Sequence, residues 1–125
     1  MIVLDASALL AFLFREPGAA LVASHLPESC MSAVNLAEVI GRFSRDGQDV
    51  QQVQVRLARL PIEIVAFTAE DAADSAALIP STRAAGLSPG DRACLALAAS
   101  RGLSPLTTDR AWTRLALPVG VQLVR

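Results

Sequence analysis

The sequence predicts an α/β fold, a three-layer α/β/α sandwich built on a short parallel sheet of four to five strands. Two observations carry this prediction. Short apolar or β-branched runs alternate with segments of helical periodicity along all 125 residues, the pattern of a parallel sheet covered on both faces. The first run, Ile2-Val3-Leu4, has no polar alternation, as expected of a strand buried on both sides in the middle of such a sheet.

Taken in order, Ile2–Leu4 is the first strand. An Ala/Leu/Phe-rich helix over Ala6–Arg15 follows it and is ended by Pro17-Gly18. A second short helix covers Ala19–Leu26 and a brief strand Glu28–Met31. Ser32 opens a helix to about Arg45, in which Leu36, Val39, Ile40 and Phe43 form one apolar stripe, and Asp46-Gly47 breaks it. Val50–Leu60 is helical up to Pro61, and Ile62–Phe67 reads as a strand. Thr68-Ala69-Glu70-Asp71 has the form of a capping box and opens a long helix to about Ala85, closed by Gly86. Ser88 is the expected N-cap of the next helix, with Pro89 at its first position, running to Ser100 before Gly102. With Ser88 as the cap, Asp91 is left free for chemistry. Leu103–Thr107 is a strand, Asp109–Trp112 a helical turn and Val121–Val124 a final strand. The length and the absence of a linker or repeat predict one domain over residues 1–125.

Composition narrows the function. Hydrophobic residues make up 53%, above the usual 45–50% or so, which predicts that some apolar surface meets another protein. No run of about 18 apolar residues predicts a membrane span. Asp5 falls inside what would be a signal core, so a cytoplasmic location is expected. Cys30 and Cys94 lack metal-type spacing and read as small core residues. The formal charge is −1, and all 11 basic residues are Arg. Bulk charge will not attract nucleic acid, and the absence of Lys removes P-loop and Schiff-base chemistry. The single His25 has no evident catalytic partner.

Four acids stand at element ends or beside them: Asp5, Glu38, Asp91 and Asp109. Each has a local structural explanation. Asp5 and Asp109 have the form of N-caps, Asp91 completes Ser-x-x-Asp, and Glu38 shares a helix face with Asn35 three residues earlier. A carboxylate just beyond the first strand also stands where open α/β sheets bind ligands. Two carboxylates about 4 Å apart repel by roughly 4 kcal/mol at an effective dielectric near 20, so acids gathered there take up protons or cations. Hard divalent ions such as Mg²⁺ or Mn²⁺ suit such oxygens and serve phosphodiester cleavage.

The runs Ile2-Val3-Leu4-Asp5-Ala6-Ser7, Ser32-Ala33-Val34-Asn35-Leu36-Ala37-Glu38-Val39, Leu87-Ser88-Pro89-Gly90-Asp91-Arg92-Ala93-Cys94-Leu95-Ala96 and Leu106-Thr107-Thr108-Asp109-Arg110-Ala111-Trp112 together resemble the PIN-domain family, and within it the VapC-type ribonuclease toxins of type II toxin–antitoxin pairs. The resemblance covers essentially the whole chain. It implies a PIN-like sandwich and an endoribonuclease dependent on Mg²⁺ or Mn²⁺ that cleaves RNA. Asp5, Glu38, Asp91 and Asp109 are then the catalytic, metal-binding acids, and Ser7, Asn35 and Thr107 the polar residues supporting them. Where family members often carry a further Asp, Arg110 follows Asp109. The resemblance also implies a cognate antitoxin, laid across a groove between the first helices and the Ser32–Arg45 helix, and a homodimer.

Rival readings meet specific obstacles. A receiver domain needs a lysine near its phosphorylated Asp. A haloacid-dehalogenase-type phosphatase needs a second Asp where Ser7 stands. A catalytically inactive PIN-fold binding module needs only a damaged acid, and all four acids are intact.

Overall fold

In the computed structural model, which describes residues 1–125, five parallel strands form one sheet: β1 Ile2–Leu4, β2 Ser29–Ser32, β3 Ile62–Val65, β4 Ser104–Thr107 and β5 Gln122–Leu123, in the order β3-β2-β1-β4-β5. Helices α1 Ala6–Leu13, α2 Ala19–His25, α3 Ala33–Arg45, α4 Val50–Ala58, α5 Ala69–Ala77, α6 Ile79–Thr82 and α7 Pro89–Arg101 cover its two faces. The expected α/β architecture is therefore present. No helix is long and apolar enough to cross a membrane.

The unbroken apolar character of β1 has its explanation in two cores. Ile2 and Leu4 enter a core with Leu9, Val22, Met31, Val39, Phe43 and Val53, beneath α1 to α4. Val3 faces the other way, into a core with Cys30, Leu87, Cys94, Leu95 and Trp112, beneath α7. Both cysteines are buried and free. Pro105 is tolerated in β4 although it lacks an N–H. It pairs with Val3 on one side, while β5 begins its pairing only at Leu106.

Several element boundaries differ from expectation, most by one or two residues, and two of the differences have a clear physical cause. The brief second strand is Ser29–Ser32, one residue later than expected, because Leu26–Glu28 with Pro27 forms a 3₁₀ turn. The long helix expected from Thr68 to Ala85 stops at Ala77, and a short helix Ile79–Thr82 and a 3₁₀ turn Arg83–Ala85 follow. Pro80 is the cause: it has no N–H for an i→i−4 bond, and its ring would strike the carbonyl of Ala76. Leu78 instead donates its N–H to Ser75 O at 3.1 Å, and the Thr82 hydroxyl donates to Leu78 O at 2.6 Å.

The helix starts follow their capping signals. Thr68 accepts from Asp71 N at 3.1 Å, and Asp71 accepts from Thr68 N at 2.8 Å. Ser88 accepts from Asp91 N at 3.1 Å, and Asp91 Oδ2 accepts from Ser88 N at 2.9 Å. The expectation that Ser88 caps alone is thus corrected: Asp91 closes the box, since a carboxylate in a first turn can fold back onto the N-cap N–H. Ser88→Ala removes the acceptor for Asp91 N and should cost about 1 kcal/mol. Urea unfolding of the two proteins measures this, and a loss below a few tenths would mean that water replaces the hydroxyl.

Candidate active site

The strand order places a topological switch between β1 and β4: the chain moves to one side of β1 for β2 and β3, then crosses it for β4 and β5. The crevice beyond the carboxyl ends of such strands is where open sheets bind ligands. Asp5 follows β1 there, and Thr107 ends β4 beside it. Helices α1 and α3, leaving β1 and β2, begin at this rim. Helix α7, leading into β4, also begins there, so first-turn residues of three helices point to one place. Their N-terminal dipole ends favour negative charge.

Asp5 does not cap α1, since its side chain makes no capping bond. The residue is only 5% exposed, and its carboxylate is held by two hydroxyls. Ser7 Oγ donates to Asp5 Oδ2 at 2.6 Å, and Thr107 Oγ1 donates to the same oxygen at 2.9 Å. Each hydroxyl accepts in turn from a backbone N–H: Ser7 from Thr108 N at 3.0 Å, Thr107 from Asp109 N at 3.1 Å. Those N–H groups occupy hydroxyl lone pairs and orient both protons toward Asp5. Oδ2 is committed to this relay, and Oδ1 is not. Burial nevertheless pushes Asp5 up to about 6, with the charges of Asp91 and Glu38 adding to the rise and the Ser7 and Thr107 bonds opposing it.

Glu38 comes from α3, one turn beyond Asn35. The Asn35 amide, fully buried, donates to Glu38 Oε1 at 2.8 Å and to the Gly90 carbonyl at 3.0 Å. One NH₂ group thereby ties the carboxylate to the start of α7. Glu38 is raised by desolvation, and by the charge of Asp91, against the Asn35 bond. Asp91 keeps Oδ1 free of its capping bond. Asn35 Oδ1 is buried without a donor.

Asp109 behaves differently. It lies on the same rim, two residues beyond β4, but its Oδ1 accepts from Ala111 N at 2.9 Å and caps the 3₁₀ turn Arg110–Arg114. Its side chain is exposed, and its charge is not among those that raise Asp5. The structure thus brings Asp5, Glu38, Asp91, Ser7, Asn35 and Thr107 into one constellation, with Asp109 at its margin. Gly90 is the contributor that sequence reasoning missed. Its available signal was a glycine at the second position of a helix, where no capping role requires one.

All available donors are hard oxygens, which fit Mg²⁺ or Mn²⁺. Asp5 and Glu38 are raised chiefly by burial and further by the charge of Asp91, and a cation would relieve both the desolvated charge and the repulsion. No three acids stand close enough to form a complete ligand cage. The carboxylates fit as part of a shell, the rest being water and phosphate oxygens, as is usual for Mg²⁺.

The Asp5 shift contributes a pH dependence of stability. Its pKa rises from 3.8 unfolded to about 6 folded, so between these values the folded state binds the extra proton. Stability therefore falls as pH increases through that window, and about 3 kcal/mol is withheld above pH 6. Without added metal, Asp5→Asn should be the more stable protein at pH 7.5 by an amount of that order. The advantage should vanish below pH 4, as measured by urea unfolding at both pH values; an equal gap at both would disprove the assignment.

The PIN domain sequence profile matches residues 2–117. In three dimensions the fold is similar to a toxin–antitoxin complex chain from Klebsiella pneumoniae, with TM-score 0.76, 19% identity and 97% of each chain covered. It is similar also to a chain of DNA-bound VapBC from Salmonella typhimurium, with TM-score 0.73, 16% identity and 100% of each chain covered. For FitAcB from Neisseria gonorrhoeae the TM-score is 0.70 at 20% identity, covering 98% of this chain and 96% of the other. No curated protein matches it in sequence. At such identities the solved structures speak for the fold, and the profile, spanning the chain from β1 past the last acid, speaks for the family: the chain belongs to the PIN domain family.

Proposed function

We propose that the protein is a metal-dependent endoribonuclease toxin that hydrolyses RNA phosphodiester bonds and is neutralised by a cognate antitoxin. The observation that carries this reading is the constellation at the switch point, where Asp5, Asp91 and Glu38 press like charges together and each keeps one oxygen uncommitted. The membership of the chain in a family of nucleases supports it. Chains of similar fold in toxin–antitoxin complexes support the toxin assignment.

In this reading Asp5 and Asp91 are the direct ligands of Mg²⁺ or Mn²⁺. Glu38 and, from the margin, Asp109 complete the acidic set and position the attacking water. A bound divalent ion supplies an activated water and stabilises the departing oxygen. The hydroxyls of Ser7 and Thr107 keep the Asp5 carboxylate in one rotamer. The Asn35 amide does the same for Glu38.

The antitoxin reading rests on apolar surface. A hollow of about 320 Å³ is lined by Leu9 of α1, Leu36 and Ile40 of α3, Leu57 of α4, and Leu60 and Ile62. A second, of about 290 Å³, is lined by Leu13, Phe43 and Val53 and shares Leu57 and Leu60 with the first. The groove expected between the first helices and Ser32–Arg45 thus has α4 as its far wall. Phe14, exposed, stacks on Phe43 at its end. An amphipathic antitoxin segment fits such a surface. A homodimer would use other exposed apolar side chains, such as Val50, Val55 and Phe67.

With Mg²⁺ the purified protein should cleave total RNA, and excess chelator should stop it. Asp5→Asn and Asp91→Asn each should lower the rate more than 100-fold, about 2.7 kcal/mol of barrier. The fold should survive, because Asn still accepts from Ser7 and Thr107, or from Ser88 N. Full activity with chelator or in either variant would overturn the mechanism, and a folded protein inert toward RNA would favour a binding module. Light scattering of the protein alone and with the product of the neighbouring gene should give a dimer and then a larger complex; a monomer in both would overturn the partner assignments.

A further inference from the structure

Gly90 stands at the second position of α7, between Pro89 and Asp91. Its backbone gives no reason for a glycine. Its φ is not positive, unlike those of Gly18, Gly47, Gly86 and Gly102, so any L-residue can adopt its conformation. It offers no cap, because Ser88 and Asp91 close that box. Within a helix, glycine is a worse choice than alanine.

Space supplies the reason. A Cβ at Gly90 would fall inside contact distance of Glu38 Cδ, Oε1 and Oε2, and no other atom is as close. The carboxylate therefore occupies the volume that any other residue's side chain would fill. The Gly90 carbonyl meanwhile accepts from the same Asn35 amide that holds Glu38 Oε1. Residue 90 thus meets Glu38 through its missing side chain and Asn35 through its main chain.

We infer that Gly90 is a positioning residue: its lack of a Cβ makes the berth in which Asn35 holds the Glu38 carboxylate beside Asp91. The inference rests on the nuclease reading only for its consequence on RNA cleavage. Its geometric content stands apart from that reading. An added methyl would meet the free end of a flexible side chain, not backbone. Glu38 can therefore swing outward and leave the fold intact, but in doing so it gives up its bond to Asn35.

The test is a double-substitution cycle with Gly90→Ala and Glu38→Asp, the latter retracting the carboxylate by one methylene. Gly90→Ala should melt at the same temperature or a few degrees higher, yet cleave RNA at least tenfold more slowly with Mg²⁺. Glu38→Asp should also be slow, and the double variant should be no slower than Glu38→Asp alone, because the methyl then meets no carboxylate. The geometry is read separately, without metal or RNA, from the Asn35 side-chain amide by NMR. Its hydrogen-bonded resonance should shift and exchange faster with solvent in Gly90→Ala, whereas in the double variant it should match Glu38→Asp alone. An unchanged Asn35 amide in Gly90→Ala, or losses that multiply in the double variant, overturns the role of Gly90 even where the parent is an active ribonuclease. A parent inert toward RNA whose Asn35 amide responds as stated upholds the berth and overturns only the nuclease reading.

Discussion

The rest of the site depends on one constraint, a carboxylate buried at the mouth of a parallel sheet. Asp5 sits where β1 ends, and a buried carboxylate without compensation would take up a proton. The fold compensates only partly. Ser7, at the second position of α1, and Thr107, the last residue of β4, aim their protons at one oxygen because backbone N–H groups already occupy their own lone pairs. This is possible only if β1 and β4 are neighbours, which is the consequence of the β3-β2-β1-β4-β5 order. Topology and carboxylate therefore support one another: the crossover that puts β4 beside β1 also delivers the hydroxyl that holds Asp5.

The remaining acids are arranged so that each is half committed. Asp91 spends one oxygen on the N-cap of its own helix, Glu38 one on Asn35, and Asp5 one on the hydroxyl pair. Such commitments fix the rotamers before any ligand arrives, which is how a site becomes preorganised. They also keep the three charges from relaxing apart into solvent, so Asp5 and Glu38 are raised first by burial and further by their charged neighbours. Asp109 is under no such constraint. It is exposed, its bond is to its own turn, and the rim would lose little if it moved.

How much of this was legible in the sequence depends on the range of the interaction. Helix starts were legible, because capping needs only residues three apart, and the Thr68 box formed as read. The burial of β1 on both faces was legible from three apolar residues in a row. Asp5 was ambiguous from local sequence alone, since Asp-x-Ser before a helix looks like a cap. Its partner Thr107 lies 102 residues away, and no local pattern signals that bond. Pro80 was legible in principle, but the Ala-rich periodicity around it outweighed a single breaker. The bond from Asn35 to Gly90 spans 55 residues and uses a backbone carbonyl, which leaves no trace in side-chain identity.

Helix α3 connects the two parts of the molecule that matter for function. Asn35 and Glu38 lie on the side of it that meets α7. Leu36 and Ile40 lie on the side that lines the larger apolar hollow, and Phe43, further along, stacks on Phe14 at 5.3 Å. A helix is stiff along its axis, so these two faces move together. A partner seated against Leu36, Ile40 and Phe43 would rest on the same element that presents Glu38, within about one and a half turns of it. One helix thus carries Glu38 on the face that meets α7 and a wall of the hollow on another.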